Sequence, residues 1–313
     1  MTENIQSLSI CCPSATGKCI NHCKTCTARQ HTNPYKNKYD GCRSDCIEYW
    51  EDVVKRMKHA RDKGCSTLML TGSNEPQQNR RWLEGLYLAM KALPNPFNNI
   101  EIQTTGAFLD KDFLRMLKAI GVTTVAVSAF NVMSDEINRD VEENADKNLN
   151  LQELCDNIYD LGMNVRICVN VTDEVLTARQ KKRLTGTEET EKTELISLFT
   201  KDILAMCNEL HASQVTFRKM WANEGTPEAE WIHSHEEYAP YILSEIKTAV
   251  KEQGTLINVL PYGAARYDYM GFSIVIDTDS MAKDTSNAAT KYYIIREDGK
   301  MYSSWDSAAS LVF

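Results

Sequence analysis

Residues 7–26 read SLSICCPSATGKCINHCKTC, and this stretch decides how the rest of the chain is read. Ser7 to Cys11 is a short β-rich run, and it leads straight into a loop carrying Cys19, Cys23 and Cys26. A dinucleotide-binding sheet would place a glycine-rich phosphate loop after its first strand, so the cysteine loop disfavours that fold. Further on, β-rich runs recur at Thr67 to Leu70, Ile100 to Thr104, Thr124 to Ser128, Val165 to Val171 and Gln214 to Met220. Helical periodicity fills the gaps: Ile47 to Lys63, Arg80 to Leu93, Lys111 to Ile120, Asn150 to Gly162, Thr193 to Leu210, and a sixth helix after Ser234. Six β/α units imply parallel strands with right-handed crossovers. The expected fold is α/β: a partial (β/α)6 TIM-like barrel over residues 1–253, with the chemistry at the C-terminal strand ends. Residues 254–313 turn to short strands and a hairpin, Tyr292 to Arg296 and Lys300 to Ser303, and form a C-terminal extension packing on the barrel.

Composition narrows the function. Among 313 residues, 35 Lys plus Arg meet 43 Asp plus Glu, a formal charge of −8 that argues against non-specific nucleic-acid binding. At 42% hydrophobic and 25% charged the chain can bury a core. It carries no run long enough to span a bilayer and no apolar leader, which gives a cytoplasmic address as the expectation. Eleven cysteines are many for a reducing compartment, and the number is odd. Eight of them lie between Cys11 and Cys65, and none follows Cys207. Cys65, Cys155, Cys168 and Cys207 sit in strand or helix patterns and read as packing.

Cys19-x3-Cys23-x2-Cys26 supplies three thiolates on one loop. A structural zinc site closes its fourth position, whereas a four-iron cluster on three cysteines keeps one iron open. This spacing resembles the signature of the radical S-adenosylmethionine superfamily. So does Thr71-Gly72-Ser73-Asn74-Glu75-Pro76 after the second strand, which is similar to the Gly-Gly-Glu-Pro segment whose backbone holds the methionine amino group. The resemblance implies a [4Fe–4S] cluster on Cys19, Cys23 and Cys26. It also implies reductive cleavage of S-adenosylmethionine to a 5′-deoxyadenosyl radical, and hydrogen abstraction from a peptide, nucleotide-like or other small-molecule substrate. A flavodoxin- or ferredoxin-like reductant is the implied partner.

Further cofactor contacts follow from the same resemblance. Thr104 and Thr105 are similar to the Thr-Thr-Asn-Gly segment of the molybdenum-cofactor-synthase-like branch, although Gly106 follows directly. Ser128 and Asn131 lie where relatives contact the ribose, and Asn170, late in the fifth strand, suits a ribose or a carboxylate contact. Arg218 is placed to pair with a carboxylate of the methionine or of the substrate. Thr25 stands where relatives carry an aromatic residue beside the adenine, so backbone contacts must serve there.

The hairpin resembles one that carries auxiliary-cluster cysteines in peptide-modifying relatives. Ser303 and Ser304 stand in their place, which excludes a C-terminal auxiliary cluster. Cys11, Cys12, Cys42 and Cys46 are left as candidates for a second metal or for packing. Ala178 to Glu194, dense in both charges, reads as a solvated loop, with a lid as the alternative. Pro261 to Tyr269 reads as a lip over the mouth or as packing of the extension. Outside this family, the alternatives are a zinc-stapled binding module or an iron–sulfur electron carrier.

Overall fold

The computed structural model describes residues 5–14, 16–30, 46–260, 264–277, 290–305 and 307–313. The first strand, β1 (Ile5–Cys11), is followed by a one-turn helix α1 (Thr27–Gln30) and then by α2 (Ile47–Asp62). Next come β2 (Thr67–Thr71), α3 (Arg80–Lys91), β3 (Asn99–Thr104), α4 (Lys111–Ala119), β4 (Thr124–Ala129), α5 (Asp135–Val141), α6 (Leu151–Asp160) and β5 (Asn164–Val171). The second half runs α7 (Ala178–Leu184), α8 (Glu189–Glu209), β6 (Ala212–Lys219), α9 (Pro227–His233) and α10 (Ala239–Gln253). Five strands end the chain: β7 (Thr255–Val259), β8 (Ala265–Tyr269), β9 (Phe272–Asp277), β10 (Thr290–Ile295) and β11 (Met301–Tyr302).

All eleven strands join one sheet in the order β11-β10-β1-β2-β3-β4-β5-β6-β9-β8-β7. β1 to β6 are parallel and in sequence order, as the β/α rhythm requires. The sheet does not close, and the partial barrel is bounded by β11 and β7. The C-terminal strands do more than pack on the barrel. They extend its sheet at both ends, β10 pairing parallel to β1 and β9 parallel to β6.

Strand periodicity sorts the two faces of this sheet. Leu8, Ile10, Leu68, Leu70, Ile102, Val125, Val127, Ile167, Val215, Phe217 and Ile274 are fully buried in one core cluster with α2, α3, α6, α8 and α10 side chains such as Val53, Leu86, Ile158, Ile203 and Ile246. Each such side chain contributes about 1.5–3 kcal/mol by leaving water. The opposite, concave face is polar. One inward row holds Gln103, Arg166 and Gln214, the next Ser128, Thr216 and Arg266, and the last Asn170, Arg218 and Asp277. The interior is therefore a wet cavity of about 1170 Å³ and not a packed apolar core.

Three local expectations need correction. Ala178 to Glu194 is not a loop: α7 opens on a capping box between Thr177 and Gln180, buries Gln180 and Leu184, and is followed by the first turn of α8. Ser234 does not start the sixth helix but ends α9, and α10 begins at Ala239. The segment expected to form a lip contains β8, paired antiparallel to β9, while Pro261 to Gly263 lie outside the described residues. No helix among the described residues is long and apolar enough to cross a membrane.

Candidate active site

The cavity opens at the C-terminal ends of β1 to β6, and Cys19, Cys23 and Cys26 line it together with Thr25. Their loop is held from several sides. Ile20 N–H donates to Gln78 Oε1 (3.1 Å), and Gln78 Nε2 donates back to the Lys18 carbonyl (2.9 Å). Asn21, between the first two cysteines, is buried; it donates to Thr105 Oγ1 (2.8 Å) and to Glu75 Oε1 (3.4 Å), and accepts from Ala145 N–H (2.9 Å). Lys24 binds Asp140 (2.8 Å) and its N–H donates to the Val141 carbonyl, which ties the loop to α5. Arg29 of α1 reaches Glu228 of α9 at 2.8 Å, a bridge to the side of the mouth after β6.

Glu75 is the hub on which the strand ends meet. Its buried carboxylate accepts from Gln77 Nε2 (2.9 Å), Thr104 Oγ1 (2.5 Å) and the Thr105 N–H (3.2 Å), besides Asn21. A carboxylate with that many donors is fixed in place, and it draws β2, β3 and the cysteine loop onto one point. Gly72 lets β2 pass close to β1: its φ is +137°, and a Cβ there would lie 3.2 Å from Cys11 Cα and from Cys12 N. Ser73 Oγ donates to Glu297 (2.8 Å), and Asn74 Nδ2 to the Cys12 carbonyl (3.4 Å).

Thr71, Gly72, Ser73, Asn74, Glu75, Thr104, Thr105, Ser128, Asn170 and Arg218 all line the same cavity as the three cysteines. Pro76 is buried beneath them at the start of a 3-10 turn. Asn131 is not brought to the cavity. It is fully buried, its amide donating to the Glu174 carbonyl (2.9 Å) and accepting from Met133 N–H (2.8 Å), so it shapes the turn after β4.

The thiols fit a group that binds thiolate. Burial raises the Cys23 thiol far above its ordinary range, and Glu142, Cys26, Glu75 and Cys19 add to it. Burial also raises Cys19. A ligand that replaces these protons lets the Cys19 and Cys23 sulfurs stand as anions in this buried site. Glu142 lines the cavity next to them with a buried Oε1 that has no hydrogen-bond partner, while its Oε2 accepts from Asn144 (3.2 Å). Burial, and then Glu75, pushes the Glu142 carboxyl well above the usual carboxylate range. Among the described residues no three His, Cys, Asp or Glu side chains converge on a point for a single ion. A cubane, whose cysteines bind separate irons, needs no such convergence.

The remaining cysteines part from this set. Cys12, Cys65, Cys155 and Cys207 are buried in the core cluster. Cys11 lines the cavity but is buried beside Cys12. Cys46 donates to Glu48 Oε2 (2.5 Å), and Cys42 lies outside the described residues.

Asn21, Gln77, Gln78, Glu142 and Arg166 were not legible as site residues. Only Asn21 carried a signal, its place between the first two cysteines of the Cys19-x3-Cys23-x2-Cys26 motif. Arg166 crosses the cavity floor to both oxygens of Glu101 (2.9 and 2.8 Å) and to Thr216 Oγ1 (3.1 Å). Burial works against its charge, but Glu101, with Cys168 and Asp277, more than offsets this and raises its pKa.

Residues 14–174 match the family model described as the Radical SAM superfamily. No curated protein matches the sequence. Among solved structures, Streptococcus suis SuiB bound to S-adenosylmethionine is similar with a TM-score of 0.56 at 12% identity, over 96% of this chain and 60% of that one. Histidine-tagged anSMEcpe with bound AdoMet gives 0.53 at 14% identity, over 95% and 74%. Native anSMEcpe with bound AdoMet and the Cp18Cys peptide gives 0.53 at 13%, over 95% and 74%. At these identities the likeness is one of fold, and the chain spans about 60% of the length of SuiB.

Proposed function

The chain belongs to the radical S-adenosylmethionine superfamily, whose members are enzymes using a [4Fe–4S] cluster and S-adenosylmethionine, and on that premise we propose that Cys19, Cys23 and Cys26 hold the cluster at the barrel mouth. The observation that carries this reading is the opening of all three cysteines onto one cavity together with Thr71 to Glu75. When bound, the cluster would supply the electron that splits S-adenosylmethionine into methionine and a 5′-deoxyadenosyl radical, the species that takes hydrogen from substrate.

The chain's own residues orient and enclose. We assign the backbone of Thr71, Gly72, Ser73 and Asn74 to the methionine end, with Glu75 holding that segment against Thr104 and Thr105. Ser128 and Asn170 face the cavity at the ends of β4 and β5 and suit the ribose hydroxyls. Thr25 offers backbone to the adenine. Asn131 shapes the loop after β4 and is assigned no ligand contact. The Arg29–Glu228 bridge ties α1, just after the cysteine loop, to α9.

We further read the chain as a 1–253 core with a 254–313 extension, in the molybdenum-cofactor-synthase-like or peptide-maturase-like branch. Its substrate is then a peptide or a nucleotide-like small molecule and its reductant flavodoxin- or ferredoxin-like. Anaerobic reconstitution followed by iron and sulfide analysis tests the cluster assignment. Wild type should bind both in equal amounts and Cys23→Ala should lose most of each, whereas one zinc per chain without labile sulfide would refute it.

A further inference from the structure

On the β6–β8 side of the cavity Arg218 and Arg266 are the two arginines without an ion pair among the described residues, and both have buried Nε atoms with no hydrogen-bond partner. Arg166, whose Nε also lacks a partner, bonds Glu101 through another of its nitrogens, and Arg296 on the opposite side bonds the Ser304 and Trp305 carbonyls. Asp277 faces Arg218 across the β6–β9 register, yet it makes no ion pair with it among the described residues, and its charge also acts on Arg166. Arg266 shares its row with Val275 and Thr216, and Arg218 is two residues further along β6. The two are thus about 10 Å apart across the sheet and about 7 Å along it, which lets two extended side chains meet over one small group. Both line the cavity that also holds the cysteines.

Each of the two half-buried side chains carries a buried Nε without a partner, which costs free energy until an acceptor binds, and the planar guanidinium fork matches a carboxylate or phosphate. On this half of the cavity three guanidiniums, of Arg166, Arg218 and Arg266, meet two carboxylates, of Glu101 and Asp277. Lys247 and Lys251 of α10 reach the same cavity, but they are exposed and their ammonium groups are solvated. Among these half-buried and buried strand residues the excess is one positive charge, which one monoanion balances and a phosphate dianion overshoots. We propose that Arg218 and Arg266 form a subsite for a carboxylate of the substrate, holding it on the β6–β8 side while the reacting carbon faces the cysteine side. The proposal rests on the enzymatic reading above and narrows its substrate to a carboxylate-bearing molecule.

The test uses reconstituted protein with saturating S-adenosylmethionine and follows the unfolding midpoint at constant ionic strength with three probes: N-acetylglycine, its neutral amide, and inorganic phosphate. The midpoint should rise with N-acetylglycine, less with phosphate and not with the amide. In Arg218→Gln and Arg266→Gln the concentration for half the shift should rise about tenfold each. Lys247→Gln and Lys251→Gln should stay within a few-fold of wild type. Equal responses to acid and amide, a larger response to phosphate, or an undiminished response in both Gln variants would overturn the subsite. Loss of S-adenosylmethionine binding in the Gln variants with the N-acetylglycine response intact would assign the pair to the methionine carboxylate and overturn it too. Dithionite-driven cofactor cleavage, measured on the same protein, separates the two levels. Cleavage without a carboxylate response refutes only the subsite, and absence of cleavage refutes the radical reading.

Discussion

The Asn21 amide donates to the Thr105 hydroxyl at 2.8 Å, so a side chain inside the cysteine loop is bonded directly to the end of β3. The same amide reaches Glu75, and its oxygen accepts from Ala145 N–H. The loop therefore has no freedom to settle independently of the strand ends. Together with the Gln78 bonds to Ile20 and Lys18, this buried side chain fixes the cysteines relative to the segment after β2.

Asn21→Ala leaves the Ala145 N–H without its acceptor and takes from the Thr105 hydroxyl the shortest of its donors, the others being Asn144 and the Ala107 N–H. Unfolding of the metal-free protein should show a loss of about 1–3 kcal/mol. Iron bound per chain after reconstitution should fall with it. Wild-type values of both would remove Asn21 from the framework of the site.

Gly72→Ala places a methyl 3.2 Å from Cys11 Cα and Cys12 N, at a φ of +137° that other residues avoid. Denaturant unfolding should report a loss of about 1–3 kcal/mol. Affinity for S-adenosylmethionine should weaken with it, because the same turn carries the segment proposed to hold the methionine end. Unchanged stability and affinity would mean that β1 and β2 can separate there at no cost.

The sequence made the parallel core readable because apolar residues alternate on β1 to β6 and Asp110 and Asn150 cap α4 and α6 as expected. The three cysteines and the segment after β2 were readable for a related reason: short spacing within one loop is local information. What escaped was non-local. Nothing in Phe272 to Asp277 or Thr290 to Ile295 says that these strands flank β6 and β1. Glu142 and Arg166 become site residues only through Glu75 and Glu101, distant in the chain. The α7 helix was missed although Thr177 and Gln180 spell a capping box, because the charges around them dominate the pattern.

Glu142 gives a pH signature. Its folded-state pKa is raised by burial and by Glu75, so its neutral form is favoured in the fold. That contribution is fully present below about pH 4.5 and is lost as pH rises toward the folded value, by up to about 1.4 kcal/mol per unit. In metal-free protein, Glu142→Gln should gain stability over wild type as pH is raised from 5 to 8. Denaturant titrations across that range check it, and a gap that does not change with pH would contradict it.

Thiol labelling separates the cysteine classes. Burial pushes Cys65 up to about 11 and Cys207 to about 12, so both stay protonated and shielded at pH 8. Iodoacetamide on native metal-free protein should modify the half-buried Cys26 and Cys46 first, leaving Cys65 and Cys207 until unfolding. Mass mapping reads the order, and early labelling of Cys207 would contradict the packing assigned to it.

The central claim is that the mouth of this barrel cleaves S-adenosylmethionine by one-electron reduction. The direct measurement is 5′-deoxyadenosine formed by anaerobically reconstituted protein given dithionite and S-adenosylmethionine. The account predicts 5′-deoxyadenosine and methionine in equal amounts from wild type and none above background from Cys23→Ala; an iron- and sulfide-replete wild type that yields no 5′-deoxyadenosine would contradict it.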